Sequence, residues 1–261
     1  VPDRHQARDA LAELVADALA VLRDHQGRGV LDEAPAPLPA AHPTPIRAST
    51  GGEWARAAAI AREAADVAQE TGVTGLARIR EDLGDCRRCR LCTGRTNLVF
   101  GVGDPDADLV VVGEAPGRQE DLKGEPFVGP AGEMLDKMLE NVLGLPRSAV
   151  YICNVVKCRP PDNRNPLPDE VAACAPYLER QIRSARPKLL LVLGGVAFKS
   201  LFHTEAGITR ARGAWRDWHG IPAMPTFHPA YLLRNPADKR LVFEDLKQVR
   251  ARFDQIGGRR P

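Results

Sequence analysis

From residue 108 onward, short apolar runs alternate with longer stretches whose apolar positions recur every three or four residues. Four runs, Leu109–Gly113, Val150–Val156, Leu189–Gly194 and Ala223–Phe227, read as β-strands. LVVVG and LLLVLG leave no polar face, as expected of strands covered by helices on both sides. Helical spacing falls over Ala131–Leu143, Pro168–Ser184, Val196–Phe202 and about Lys239–Ile256. This alternation predicts βαβ units in an α/β fold: three layers, α/β/α, around a central four-stranded, mostly parallel sheet.

The pattern upstream is different. Leu11, Leu14, Val15, Ala18, Leu19 and Leu22 share one face of a helix over 4–25. Residues 27–52 are rich in Pro, Ala and Gly and read as a linker. An Ala-rich helix follows over 53–70, then a shorter one, about Leu76–Leu83, that leads into the first cysteines. The chain thus divides into an N-terminal helical extension (1–70, linker at about 27–52) and a domain over 74–256.

Composition narrows the function classes. In 261 residues, 44% are hydrophobic and 27% charged, which is globular. Lys and Arg number 36 against 34 Asp and Glu, a net charge of +2, which excludes a simple polybasic binder but allows a local basic face. No apolar run approaches a membrane span, and the opening VPDRHQ lacks a signal-peptide core, so a cytoplasmic protein is expected. Six cysteines in so long a chain do not make a disulfide scaffold. In a reduced compartment, Cys86-x-x-Cys89 and Cys158-x15-Cys174 offer four thiolates, and spacing alone leaves zinc and an iron–sulfur cluster equally open.

In open α/β sheets, ligands bind outside the carboxyl ends of the strands. The four runs end at Glu114-Ala115-Pro116-Gly117, at Asn154, at Gly194-Gly195 and at His228-Pro229. A carboxylate, a carboxamide, a glycine pair and an imidazole are therefore expected along one edge.

GEAPGRQED (Gly113–Asp121), PFVGPAG (Pro126–Gly132), YICNVVKCRPPDNRNPLPDE (Tyr151–Glu170) and HPAYLLRN (His228–Asn235) occur in that order. Over about Leu76 to Phe253 the chain resembles the family 4 uracil-DNA glycosylases, the type with an iron–sulfur cluster. The resemblance implies cleavage of the bond between uracil and deoxyribose in single- or double-stranded DNA, on a nucleotide flipped out of the stack. Phe127 would stack on the base. Asn154 would accept from the uracil ring N–H and donate to a carbonyl. Cytosine reverses both groups, and each mispaired buried group costs roughly 1–3 kcal/mol. His228 would stabilise the charge on the leaving base. Glu114 and Glu120 would share the remaining catalytic work, since Ala115 stands where the classical uracil glycosylases have an Asp. Gly113, Ala115 and Gly117 would bound the substrate pocket.

Leu232 and Leu233 resemble an apolar wedge that fills the gap left by a flipped base. Arg234 and Arg159 would contact phosphate, with Lys157, Arg164, Lys239 and Arg240 completing a basic edge. The resemblance assigns a [4Fe–4S] cluster to Cys86, Cys89, Cys158 and Cys174, in a structural role. Cys92 has no counterpart in the family pattern, and Cys153 reads as a buried core residue. Arg118 and Gln119 depart from a family that is often acidic there. The N-terminal arm lies outside the family core, as a partner-docking arm or a tail of no specific function. The expected protein is a monomer acting on uracil-containing DNA, without a membrane. The rivals are an inactive uracil-DNA-binding protein of the same fold and a zinc or redox-active thiol protein. The second leaves Phe127, Asn154 and His228 unexplained. A related branch that binds uracil-DNA covalently uses a His in this loop, and RPPDNRNPLP has none.

Overall fold

A computed structural model of the chain describes residues 71–260. The two helices and linker expected over 4–70, and the domain boundary with them, lie outside the described residues.

The strands are β1 (Val102–Gly103), β2 (Leu109–Gly113), β3 (Tyr151–Asn154), β4 (Leu189–Leu193), β5 (Arg216–Trp218) and β6 (Ile221–Thr226). They form one sheet in the order β1-β3-β2-β4-β6-β5. The four expected strands are its parallel centre. The sheet gains an antiparallel strand at each edge, so it has six strands rather than four. These edge strands are two and three residues long, and β5 exposes both Arg216 and Asp217. Backbone pairing makes them strands, and pairing leaves no mark in the hydrophobic pattern.

The helices are α1 (Gly72–Leu83), α2 (Arg118–Lys123), α3 (Pro130–Met138), α4 (Pro168–Ala185), α5 (Gly194–Phe202), α6 (Ile208–Ala211), α7 (Pro229–Arg234) and α8 (Lys239–Gln255). The stretch expected to be helical up to Leu143 leaves α3 through a π-helical turn, Leu139–Leu143, closed by Gly144 at φ 67°. Helices α2, α6 and α7 have four to six residues, too few to show a period.

Strand alternation sends successive side chains into two cores. Val110 and Val112 meet Ile79 of α1, Leu178 and Ile182 of α4 and Phe198 of α5. Leu109 and Val111 meet Leu135 of α3 and Leu246, Val249 and Phe253 of α8. Both faces of the sheet are covered, as the wholly apolar runs require. On α8, Asp245 is also buried; it accepts from the Thr226 hydroxyl at 2.6 Å and pairs with the Arg212 guanidinium. This ties α8 to the end of β6, just before His228.

The chain passes from β2 to β3 on one side and then to β4 on the other side of β2. The loops after β2 and β4 therefore diverge, and a crevice opens at the carboxyl ends of the strands.

Candidate active site

The crevice is a cleft of about 390 Å³. Glu114, Ala115, Pro116 and Gly117 line it from the turn after β2, Asn154 from the end of β3 and His228 from the turn after β6. Glu120, Phe127 and Arg234 complete one side, and Pro160, Asn163, Arg164 and Asn165 close it from the loop after Cys158. The carboxylate, carboxamide and imidazole expected at one edge do converge. The Gly194-Gly195 pair does not line the cleft. Gly194, at φ +89°, instead makes room for His228, whose Cβ would lie 3.0 Å from an added Cβ.

Asn154 is 2% exposed, and its Oδ1 is a buried acceptor with no hydrogen-bond partner. Such orphans are rare and mark an unmet role. The atom lies over Gly113, where a Cβ would approach Oδ1 to 2.4 Å and the Phe127 ring to 2.6 Å. Gly113 is thus the floor that lets the amide and the aromatic ring come together. It is not itself part of the cleft wall.

His228 Nδ1 accepts the Ala230 backbone N–H at 3.1 Å. That bond fixes the tautomer, because a neutral ring accepting at Nδ1 carries its proton on Nε2. Burial, reinforced by Arg234 and opposed by Glu120, pushes the His228 pKa down to about 4. The ring is therefore neutral at pH 7 and presents an Nε2–H donor. It stacks on Phe127 with centroids 5.5 Å apart.

The two carboxylates differ in their surroundings. Burial holds the Glu114 carboxyl above its usual pKa, and among the described residues it has no hydrogen-bond or ion-pair partner. Both oxygens of Glu120 are engaged: one accepts from Gly117 N–H at 3.1 Å, the other from Val128 and Gly129 N–H at 2.9 and 3.0 Å. Glu120 thereby joins the turn after β2 to the PFVG loop. Within that loop Phe127 sits at φ 54°, a costly conformation for an aromatic residue. Arg147 donates to the Pro126 carbonyl, and Gly132 lies against the Phe127 carbonyl, where a Cβ would come within 2.0 Å.

Several expected DNA contacts fall differently. Leu232 is 1% exposed and belongs to the α8-side core, so it cannot serve as a wedge; Leu233 is 43% exposed. Helix α7 turns one leucine inward and the next outward. Lys157 is wholly buried and cannot meet phosphate. Arg164 is held in a bidentate pair with buried Glu170, at 2.8 and 2.7 Å. Arg159 reaches Asn163 Oδ1 at 2.8 Å. The motif reading assigned no role to Asn163, Asn165, Ala131 or Tyr231, all of which line the cleft. The available signal was the run Asp162-Asn163, two residues that tolerate left-handed backbone and that turn the loop inward at φ 52° and 54°.

Cys158 and Cys174 are buried in the α4-side core, and Cys86 and Cys89 pack against it. None of the six cysteines forms a disulfide. Burial pushes the Cys158 thiol up to about 11 and raises the Cys174 and Cys89 thiols as well. Basic groups surround them: Arg95 donates to Cys158 Sγ at 3.1 Å and to the Cys86 carbonyl at 2.8 Å, and Arg88 approaches Cys86 Sγ at 3.5 Å. Four thiols beside two arginines have the chemistry of a thiolate-ligated centre, but among the described residues no three ligand side chains are gathered closely enough to hold a metal ion. Cys92 lies in the short helical turn Arg90–Thr93, and Cys153 is wholly buried.

The fold and the convergent cleft define an α/β protein with a carboxylate, an amide and an imidazole gathered in one pocket at the ends of its strands. Residues 100–247 match the Uracil DNA glycosylase superfamily, to which the chain belongs. Its relatives place it in the type-4 branch. It is 45% identical to a type-4 uracil-DNA glycosylase of Sulfurisphaera tokodaii, over 67% of this chain and 83% of that one. It is 44% identical to those of Thermotoga maritima, over 69% and 95%, and Archaeoglobus fulgidus, over 66% and 89%.

Proposed function

We propose that this cleft excises uracil from DNA in base-excision repair, through a domain spanning residues 74–256. The enzyme is a uracil-DNA glycosylase, a hydrolase of the N-glycosidic bond. One observation carries the assignment of its residues: a buried, unpartnered Asn154 Oδ1 beside a neutral His228 and the Phe127 ring. Uracil N3–H supplies the missing donor, and the Asn154 amide N–H₂ donates to the O4 carbonyl. His228 Nε2–H donates to the O2 carbonyl. As the glycosidic bond breaks, its electron pair moves onto the uracil ring, and this donor stabilises the developing anion. One such donor contributes about 10²–10³ in rate.

The sugar is left with oxocarbenium character, and a water adds at C1′, giving up one proton that neutralises the released uracil anion. Glu114 is the free carboxylate within the cleft, and it orients that water and balances the positive charge. Glu120 is a positioning residue, since backbone donors already occupy both its oxygens. Leu233 fills the space left in the stack, with Arg234 and Arg159 on phosphate. Cys86, Cys89, Cys158 and Cys174 would hold the [4Fe–4S] cluster. When bound, the cluster supplies a cross-link between the segment after α1, the cleft loop and α4.

The test uses an oligonucleotide with one uracil, treated with alkali after incubation. Strand breaks at uracil are expected, and none at cytosine. Retention of the oligonucleotide without breaks would make the protein a uracil-DNA binder.

A further inference from the structure

Lys157 has 0% relative exposure, so no cleft or DNA-facing role is open to it. Its Nζ donates to the Asn154 carbonyl at 2.6 Å. Among the described residues no carboxylate pairs with it. A buried ammonium without a counter-charge is costly. Burial accordingly holds the Lys157 amine below its ordinary pKa, and the nearby sulfurs of Cys153, Cys174 and Cys158 oppose that shift only in part. The Lys157 carbonyl accepts from Val99 N–H at 2.8 Å. One residue thus holds the carbonyl of Asn154 and directly precedes a proposed cluster ligand, Cys158. Between these points, Val155 N–H donates to the Gly113 carbonyl at 2.9 Å and Val156 N–H to the Glu114 carbonyl at 3.2 Å. The turn from Asn154 to Cys158 is therefore fastened to the end of β2 and to Glu114 at one end and runs into Cys158 at the other.

We propose that Lys157 is a positioning residue that couples the four-cysteine site to base recognition. Its side chain fixes the backbone of Asn154, while its own place is set by its backbone bond to Val99 and by Cys158, the next residue in the chain. A bound cluster then holds the base-reading amide in register. This rests on Asn154 reading the base and on the four cysteines being the ligands.

Two measurements on the full chain test it. The first compares Lys157→Met, Asn154→Ala and the double variant, each cluster-loaded, on a single-stranded uracil oligonucleotide. Lys157→Met removes the bond to the Asn154 carbonyl and is expected to lower kcat about 10-fold or more. KM should change much less, and the loss should largely vanish in the Asn154→Ala background. Lys157→Gln, which keeps a donor, should recover part of the rate. Wild-type kcat in Lys157→Met, or a loss that adds in full to that of Asn154→Ala, would overturn the proposal.

The second measurement needs no variant and decides the question if Lys157→Met does not fold. Amide hydrogen exchange is followed in wild-type protein before and after anaerobic chelation of iron. Exchange at Val155 and Val156 should accelerate while β4 stays protected. No change, or equal acceleration in β4, would sink the coupling. Uracil excision by the wild-type protein is scored separately, so failure of the coupling leaves the glycosylase reading standing, and the reverse also holds.

Discussion

At the scale of single residues, the site depends on side chains that are absent as much as on those present. Gly113 has no partner of its own, yet a methyl group there would strike both the Asn154 amide and the Phe127 ring. Gly113→Ala is therefore expected to fold and to lose about 10²-fold in kcat/KM, because a displacement of about 1 Å at a reacting centre costs that much. Steady-state kinetics beside a denaturant titration checks this. The pH dependence follows from the two ionisable groups. His228 is already neutral above its pKa of about 4, so it does not limit the rate near pH 6.5. Glu114 must be ionised to act, and burial raises its pKa above the usual 4.5. Activity should therefore fall as pH drops through a midpoint above 4.5. Glu114→Gln should flatten that limb in a kcat–pH profile. The sequence motifs located Asn154, His228 and Glu114, because their chemistry is carried by residue type. They left the roles of Glu114 and Glu120 undivided, because the division depends on which oxygens the backbone occupies.

At the scale of elements, the central strands were legible because burial on both faces makes each run wholly apolar. LVVVG became β2 over the same five residues. The edge strands β1 and β5 were not legible, since backbone pairing rather than apolar content makes them. The PFVG loop shows the same limit. Its motif was readable, but the restraints on it are not sequence-local: Arg147 lies twenty residues beyond Phe127 and reaches back to the Pro126 carbonyl while pairing with Asp136 at 3.2 Å. Phe127 at φ 54° stays in a costly conformation only while such restraints hold it. Arg147→Met should let the loop relax, lowering kcat/KM for uracil about 10-fold. In a Phe127→Ala background, where there is no ring left to place, the same change should cost little. A double-mutant cycle on kcat/KM reads this directly, and full additivity would show that Arg147 acts elsewhere.

At the scale of the whole molecule, the net charge of +2 proves an average over specific commitments. Many of the basic residues near the cleft are engaged internally: Arg164 with Glu170, Arg95 with Asp85 and the cysteines, Lys157 with Asn154. A count of charges cannot tell these from the ones left for phosphate, which is why Lys157 was misplaced at the sequence level. The cysteines are the reverse case: their spacing offers four thiolates, and the cluster they would hold belongs to the proposed function. Their global effect follows from chain connectivity. Cys89 and Cys158 lie about seventy residues apart, and a cross-link closing a loop of that length removes about 4 kcal/mol of unfolded-state freedom on the chain-entropy account. For a domain of roughly 190 residues each kcal/mol moves Tm by about 2–4 °C. Chelating the metal should therefore bleach the protein and lower Tm by roughly 10 °C in a calorimetric scan. An unchanged Tm in bleached protein would show that the cross-link carries no structural weight. A drop large enough to abolish the transition would instead mean that the core holding Cys158 and Cys174 does not form without the metal.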